Sequence, residues 1–537
     1  MKRTALWFAA LALGALALSG CGRDGTSPST TGSVVRISQR NEPEDLDPAL
    51  ASIPDSFFVI RALSEGLVLP TATGPVPGAA ERWEVSPDGT TYTFHLREGA
   101  LWSDGEPVTA EDFIASYRRL LTPSTAAPKA ELFYPVRNAR DYVAGRITDF
   151  TEVGFRAADP RTLVITLERP APRFLDYAAS GPWMPASPGV VARWGRQWTR
   201  PGHHVGNGPF VLSEWLPNQR ITVTRNPRYW DWASVRLDSI QFVRLDDGES
   251  EERAYRAGDI DVTLALPYTK LETYERERPA DVHRLELGET RYLSFNTRRP
   301  PLDDPRVRQA LSLAIDRERI VTDVLRGDPP AAARLLAPAL LGSAGSGETP
   351  AGPPASGDPA AAARLLAQAG FPGGRGFPRL ELSGWSATPV LEAIQAMWRK
   401  ALGIEVSVSV REARVHVAAL RSGAYDIALV TLIPDVADPL AALENFSSSS
   451  PGNYPHWSDI GFDKLLAGAA SAGTPAQRSA FLFSAEKRLL EAQPLAPLYF
   501  NVKIWAMRPA VTGWEEDALW NRTYSHLGLG LPSGPAP

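Results

Sequence analysis

Cysteine is almost absent: the 537 residues contain one, Cys21, so no intramolecular disulfide can form. Histidine is sparse and scattered, and only His203 and His204 adjoin. Neighbouring residues on a strand point to opposite faces, which makes that pair a poor chelate, and neither a metal nor a cofactor is expected. Basic residues are in deficit, with 56 Lys and Arg against 61 Asp and Glu and a net charge of -5. The basic footprint that a nucleic-acid partner requires is therefore missing. After the N-terminal segment no apolar run is long and clean enough to span a bilayer. Also lacking are His-Glu-x-x-His, Gly-x-Ser-x-Gly and a phosphate loop. An enzyme is therefore not expected, although Asp and Glu are abundant enough for a hydrolase built on a carboxylate pair to stand as the alternative from another class.

The length exceeds one ordinary core and predicts two to four domains. Met1-Lys2-Arg3, the apolar run Ala5 to Leu18 and the small pair Ser19-Gly20 read as a secretory signal rather than a membrane anchor. Leu18-Ser19-Gly20-Cys21 resembles a bacterial lipobox, in which the cysteine becomes the lipid-modified N-terminus. Residues 1–21 are thus assigned to signal and lipobox, with Cys21 as lipid attachment site. Residues 22–33, rich in Gly, Ser and Thr, form a flexible tether.

The ordered chain begins with a strand at Val34 to Ser38. Alternation in Tyr92, Phe94 and Leu96, with the turn Pro87-Asp88-Gly89, predicts a hairpin over 80–96. Thr109 reads as the N-cap of a helix running to Leu121. Pro305 opens another, and Pro475 to Ala492 a third. Pro329 to Gly357, mostly Ala, Pro, Gly and Ser, is expected to be an exposed loop. Strands at Leu380 to Leu382, Glu405 to Val410 and Asp426 to Ile433 alternate with helices near 390–401 and 414–421, the α/β signature. The run Asp426 to Ile433, β-branched and stopped by Pro434, reads as a parallel strand covered on both faces. Asp435 follows its carboxyl end, where ligands sit in open α/β sheets. Asp438 reads as an N-cap.

Several motifs in order carry a resemblance: Glu65-Gly66-Leu67; Trp102-Ser103-Asp104-Gly105 through Asp112-Phe113; Gly206-Asn207-Gly208-Pro209-Phe210; Asn226-Pro227-Arg228-Tyr229-Trp230; and Asp304-Pro305-Arg306-Val307-Arg308-Gln309-Ala310. With them the chain resembles the bacterial extracellular solute-binding proteins of family 5, the oligopeptide-binding proteins of peptide ABC transporters. The resemblance implies an α/β, two-lobed clamshell of the type II periplasmic-binding-protein kind, built from three domains. Lobe one would comprise 34–77, 202–288 and 503–537, an inserted domain 78–201, and lobe two 289–502. The strands crossing between lobes would lie near Leu285 to Glu289 and Phe500 to Ile504. It further implies oligopeptide capture in the cleft, delivery to a membrane permease, a monomer, and a cell-envelope location held by the lipid. By resemblance Asp435 meets the peptide α-ammonium, Glu65, Gly66 and Leu67 lie along the ligand backbone, and Thr431, Ile433 and Asn501 join them. The basic residues with which some members clamp the ligand carboxylate correspond to Leu325, Ala387, Leu420 and Leu429, none basic here. That carboxylate would then be left to solvent or to Arg326 or Arg421. The same fold could serve a non-peptide solute such as a sugar, a metal chelate or a heme-like group.

Overall fold

The computed structural model describes residues 32–326, 329–341, 352–385 and 389–530. Cys21, most of the tether and Ala387 lie outside the described residues. The principal strands are β1 (Val34–Gln39), β2 (Ala80–Val85), β3 (Thr91–Leu96), β4 (Phe155–Asp159), β5 (Thr162–Thr166), β6 (Phe210–Leu216), β7 (Arg220–Arg225), β8 (Ser239–Arg244), β9 (Val282–Phe295), β10 (Leu380–Gly384), β11 (Val406–Val410), β12 (Ile427–Leu432) and β13 (Leu495–Ala506). They form three main sheets, in the orders β1-β8-β7-β6, β2-β3-β5-β4 and β11-β10-β12-β9-β13.

Each sheet has its own apolar core. The first buries Val35, Ile37, Phe210 and Phe242 against helix α1 (Pro54–Leu63). The second packs Phe94, Leu163 and Ile165 on Phe113 and Tyr117 of α2 (Ala110–Leu121), with Trp183 stacked on Phe133 at 4.1 Å. Helix α2 starts where expected because Thr109 and Asp112 form a reciprocal capping box.

The third sheet is covered on both faces. One face meets α3 (Pro305–Leu313), α4 (Pro359–Gln368) and α5 (Pro389–Leu402), burying Leu293, Phe295, Leu382, Ile427 and Leu429. Helix α6 (Ala413–Ser422) places His416 against the carbonyl of Leu429, 3.2 Å away. The other face meets α7 (Pro439–Glu444) and α8 (Pro475–Ala492), burying Tyr292, Val430, Leu432 and Leu489. Fully burying such a side chain contributes roughly 1.5–3 kcal/mol, so β12, apolar on both faces, anchors this sheet.

Two expectations are corrected. Strand β12 has a parallel neighbour only in β10; on its other side it runs antiparallel to β9. Burial on both faces produces the same apolar run for either direction of neighbour. The segment 329–341 is not an exposed loop: Ala332, Leu335, Leu336 and Leu340 are buried. The N–H groups of Leu335 and Leu336 donate to Glu486, and that of Ala332 to the Leu498 carbonyl, so the backbone is held despite a composition poor in structure formers.

Strands β9 and β13 pair from Val282 with Ala506 to Ser294 with Leu495. Their register breaks between Glu286 and Thr290, and Gly288 there donates its N–H to the Ala518 carbonyl. Lys503, further along β13, is buried in bonds with Glu516, which Arg522 also meets at 3.0 Å.

Candidate ligand-binding site

Side chains alternate faces along a strand, so β9 and β12 can be read in steps of two. On β9 the steps are Phe295, Leu293, Arg291, Glu289; on β12 they are Ile427, Leu429 and Thr431, with Ile433 just beyond the strand end. The register pairs Phe295 with Ile427, Leu293 with Leu429 and Arg291 with Thr431, placing both series side by side on one face. The first two residues of each series are core. Beyond them Arg291 and Thr431 are half-buried, Glu289 is buried, and Ile433 is 56% exposed. At this level the apolar core ends and a polar ledge begins.

Strand β13 completes the ledge. Tyr499 lies opposite Arg291, and Asn501 donates through Nδ2 to Glu289 Oε2 at 2.6 Å. Burial pushes the Glu289 carboxyl up from its ordinary range, while the Asn501 bond and the Arg291 charge pull it down. The Arg291 guanidinium stands 4.4 Å from the ring centre of Trp385, which follows β10. Arg291 Nε and Thr431 Oγ1 are both buried without a hydrogen-bond partner among the described residues. Among the described residues β10 pairs with β12 only at Ile427 and Ala428, so the rest of that edge has no strand partner among them.

Asp435 lies on the loop leaving β12. Lys129 donates to its Oδ1 at 2.6 Å, and the two side chains are 25% and 44% exposed respectively. The next residue, Val436, is tucked into the core of the second sheet, and Arg173 donates to the Ala437 carbonyl at 2.6 Å. Asp438 is committed differently: it caps α7 through Leu440 N–H and accepts two bonds from Arg478. Of the two aspartates, Asp435 has a single lysine as its cationic partner among the described residues, whereas Asp438 is held by Arg478 and a helix cap.

The Glu65-Gly66-Leu67 turn is buried. Asn207 bonds both the N–H and the carbonyl of Glu65, while Tyr229 and Trp230 donate to its carboxylate. The carbonyls of Gly66 and Leu67 accept from Ala79, Gly78 and Ala80. Burial pushes the Glu65 carboxyl up to about 7 despite those two side-chain donors. The glycine motif belongs to the same junction, since a Cβ on Gly206 would stand 2.0 Å from the Leu63 carbonyl oxygen. Glu65 thus ties α1 to the 206–210 and 226–230 motifs, and its polar groups are engaged within the protein rather than turned towards a ligand.

Leu420 and Leu429 are buried in core, Leu325 is half-buried, and Arg326 and Arg421 are exposed. Sequence reasoning missed Arg291, Trp385 and Lys129. For Arg291 a signal existed, a cation on the face of β9 otherwise occupied by Leu293 and Phe295; Lys129 carries none, because it meets Asp435 across 306 positions. A cavity of about 670 Å³ is lined in part by Arg173, Arg334, Leu340, Arg478 and Phe483. Its arginines are paired with Asp176, Glu486 and Asp438, so their charges are balanced within the protein.

Among solved structures the murein tripeptide binding protein MppA of Escherichia coli superposes with a TM-score of 0.81, at 31% identity over 93% of this chain and 99% of that one. Its unliganded open form gives 0.74. Haemophilus influenzae OppA in complex with RPPGFSPFR gives 0.80, at 28% identity over 93% and 99%. Three sheets with separate cores and a polar ledge where one of them ends are therefore the architecture of a two-lobed clamshell solute-binding protein, and not of an enzyme. The profile of bacterial extracellular solute-binding proteins, family 5 (middle), matches residues 74–454, and the chain belongs to that family. Curated relatives include the probable deoxycholate-binding periplasmic protein YgiS of Escherichia coli, 33% identical over 95% of this chain and 96% of the relative. The periplasmic oligopeptide-binding protein OppA of Salmonella typhimurium is 32% identical over 88% of each.

Proposed function

We propose that the protein captures peptides in an interlobe cleft for delivery to an ABC-transporter permease. In this reading it works as a monomer on a cell-envelope membrane, held by lipid on Cys21. The observation that carries the reading is Asp435, a partly exposed carboxylate beyond β12 whose partner is a primary ammonium, that of Lys129. A ligand α-ammonium has the same chemistry and takes the place of Lys129. The edge of β12 that lacks a strand partner among the described residues supports it: an extended peptide beside Thr431 and Ile433 adds a strand through main-chain bonds, which suits ligands of varied sequence. Asn501 holds the buried Glu289 at the rim. Gly66 and Leu67 contribute shape rather than the charge of Glu65.

The lobes are assigned as 34–77 with 202–288 and 503–537, the inserted domain as 78–201, and the second lobe as 289–502. The register break at Glu286 to Thr290 supports a hinge there. A second reading, an anionic amphiphile such as the deoxycholate of the relative YgiS, draws support from Asp435 being neutralised by Lys129 while Arg291 has no carboxylate partner among the described residues. Native mass spectrometry of the protein purified without denaturation separates them. Peptide masses are expected; a steroid acid, or peptide cleaved on incubation, overturns the first reading.

A further inference from the structure

We propose that Arg291 receives a carboxylate of the ligand, and that the span from Arg291 to Asp435 restricts peptide ligands to a few residues. This rests on the reading of Asp435 as the ammonium site.

Arg291 is a half-buried cation with no ion pair among the described residues. Its Nε is shut off from solvent without an acceptor among the described residues. Buried charges are ordinarily paired, and an unpaired guanidinium at a ligand site is a vacancy for an anion. Two carboxylates of the same sheet have partners of their own. Glu289, two residues along the same strand face, accepts from Asn501. Glu381, on β10, is bonded to Arg411. Glu289 also has its carboxyl in a setting that disfavours charge, so the ledge carries net positive character around Arg291.

The surroundings suit planar recognition. The guanidinium carbon lies over the Trp385 ring, 4.4 Å from its centre, a contact that limits how the guanidinium can turn. A guanidinium held in this way can present two parallel N–H donors to a carboxylate. Beside it, Thr431 Oγ1 is a buried hydroxyl with no partner among the described residues, able to donate to the same anion. Two adjacent unpartnered polar groups on paired positions of neighbouring strands make a composite site. The other candidate positions do not take this place: Leu420 and Leu429 are core, and Arg326 and Arg421 are exposed.

Register sets the length. Thr431 lies opposite Arg291, and Asp435 is four residues further, which at about 3.3 Å per residue is at most about 13 Å. An extended peptide of roughly two to four residues spans that distance between its ammonium and its carboxylate.

Calorimetry with a leucine-containing tripeptide in free, C-terminally amidated and N-acetylated forms, on the wild type, Arg291→Met and Arg291→Lys, tests the proposal. Amidation is expected to weaken wild-type binding by about thirtyfold or more, and Arg291→Met binding by less than about threefold. Arg291→Lys should recover part of the discrimination, having the charge without the fork. A nonapeptide should bind more weakly than the tripeptide. Equal effects of amidation on wild type and Arg291→Met overturn the inference, as does indifference of the wild type to amidation. Sensitivity to acetylation without sensitivity to amidation overturns only this inference and leaves the peptide reading standing. Failure of every peptide to bind removes both. Binding of deoxycholate that depends on Arg291 supports the carboxylate receptor, and a nonapeptide bound as tightly as the tripeptide overturns the length restriction.

Discussion

Replacing Asp435 with alanine tests the ammonium site directly, and the structure limits how large the loss can be. Removing one partner of an enclosed charge pair costs about 2–5 kcal/mol, whereas an exposed pair is worth about 0–1 kcal/mol. Asp435 lies between these cases: its side chain is 44% exposed before ligand arrives, and its carboxylate is already bonded to Lys129 at 2.6 Å. A ligand ammonium therefore exchanges for another ammonium rather than for water, which trims the gain. The expected loss is about 1–3 kcal/mol, or about five- to 150-fold in Kd. The same loss should follow from acetylating the peptide on the wild type. Acetylation and Asp435→Ala together should lose little more than either alone, because both delete one interaction. Lys129→Met removes the competitor and should tighten binding by no more than about fivefold. Calorimetry over this square of proteins and peptides gives the coupling. If acetylation weakens Asp435→Ala as much as it weakens the wild type, the ammonium is bound elsewhere.

Cys21→Ser should move the protein from the membrane to the soluble fraction on cell fractionation, and continued sedimentation with membrane would contradict the lipid assignment. Small-angle scattering should show compaction on adding peptide, since a ligand touching both lobes favours the closed form; an unchanged profile at saturation would argue against a hinge at 285–289. Glu65 predicts a pH dependence of stability. Its carboxyl is raised from 4.5 to about 7 in the folded protein, so its contribution is fully present below about 4.5 and is lost as pH rises through about 7. Glu65→Gln should flatten denaturant-derived stability across that window, on the order of 3 kcal/mol, and an unchanged slope would show that Glu65 does not set it.

Much of the framework was legible because local signals agreed with the fold. Thr109 with Asp112, Asp304 before Pro305, and Thr474 before Pro475 are caps that specify helix starts without tertiary help. The apolar run of β12 identified the central strand but could not tell parallel from antiparallel neighbours. Segment 329–341 was misread because its order comes from partners far along the chain, Glu486 and Leu498, which composition cannot display. The site divided in the same manner. Asp435 stands out in the sequence as a candidate by its place after a buried strand, and the capping role of Asp438 is legible from the Pro439 that follows it. Glu65 was recognised, but its inward engagement depends on Asn207, Tyr229 and Trp230, brought to it by folding. Arg291 has meaning only once register sets it beside Thr431 and over the ring of Trp385.

The most direct measurement is a crystal structure of the protein with a bound tripeptide. The α-ammonium is expected about 2.7–3.0 Å from the Asp435 carboxylate, with Lys129 displaced and the peptide backbone alongside Thr431 and Ile433. A peptide lying in the opposite direction, with Lys129 still bonded to Asp435, would contradict that expectation.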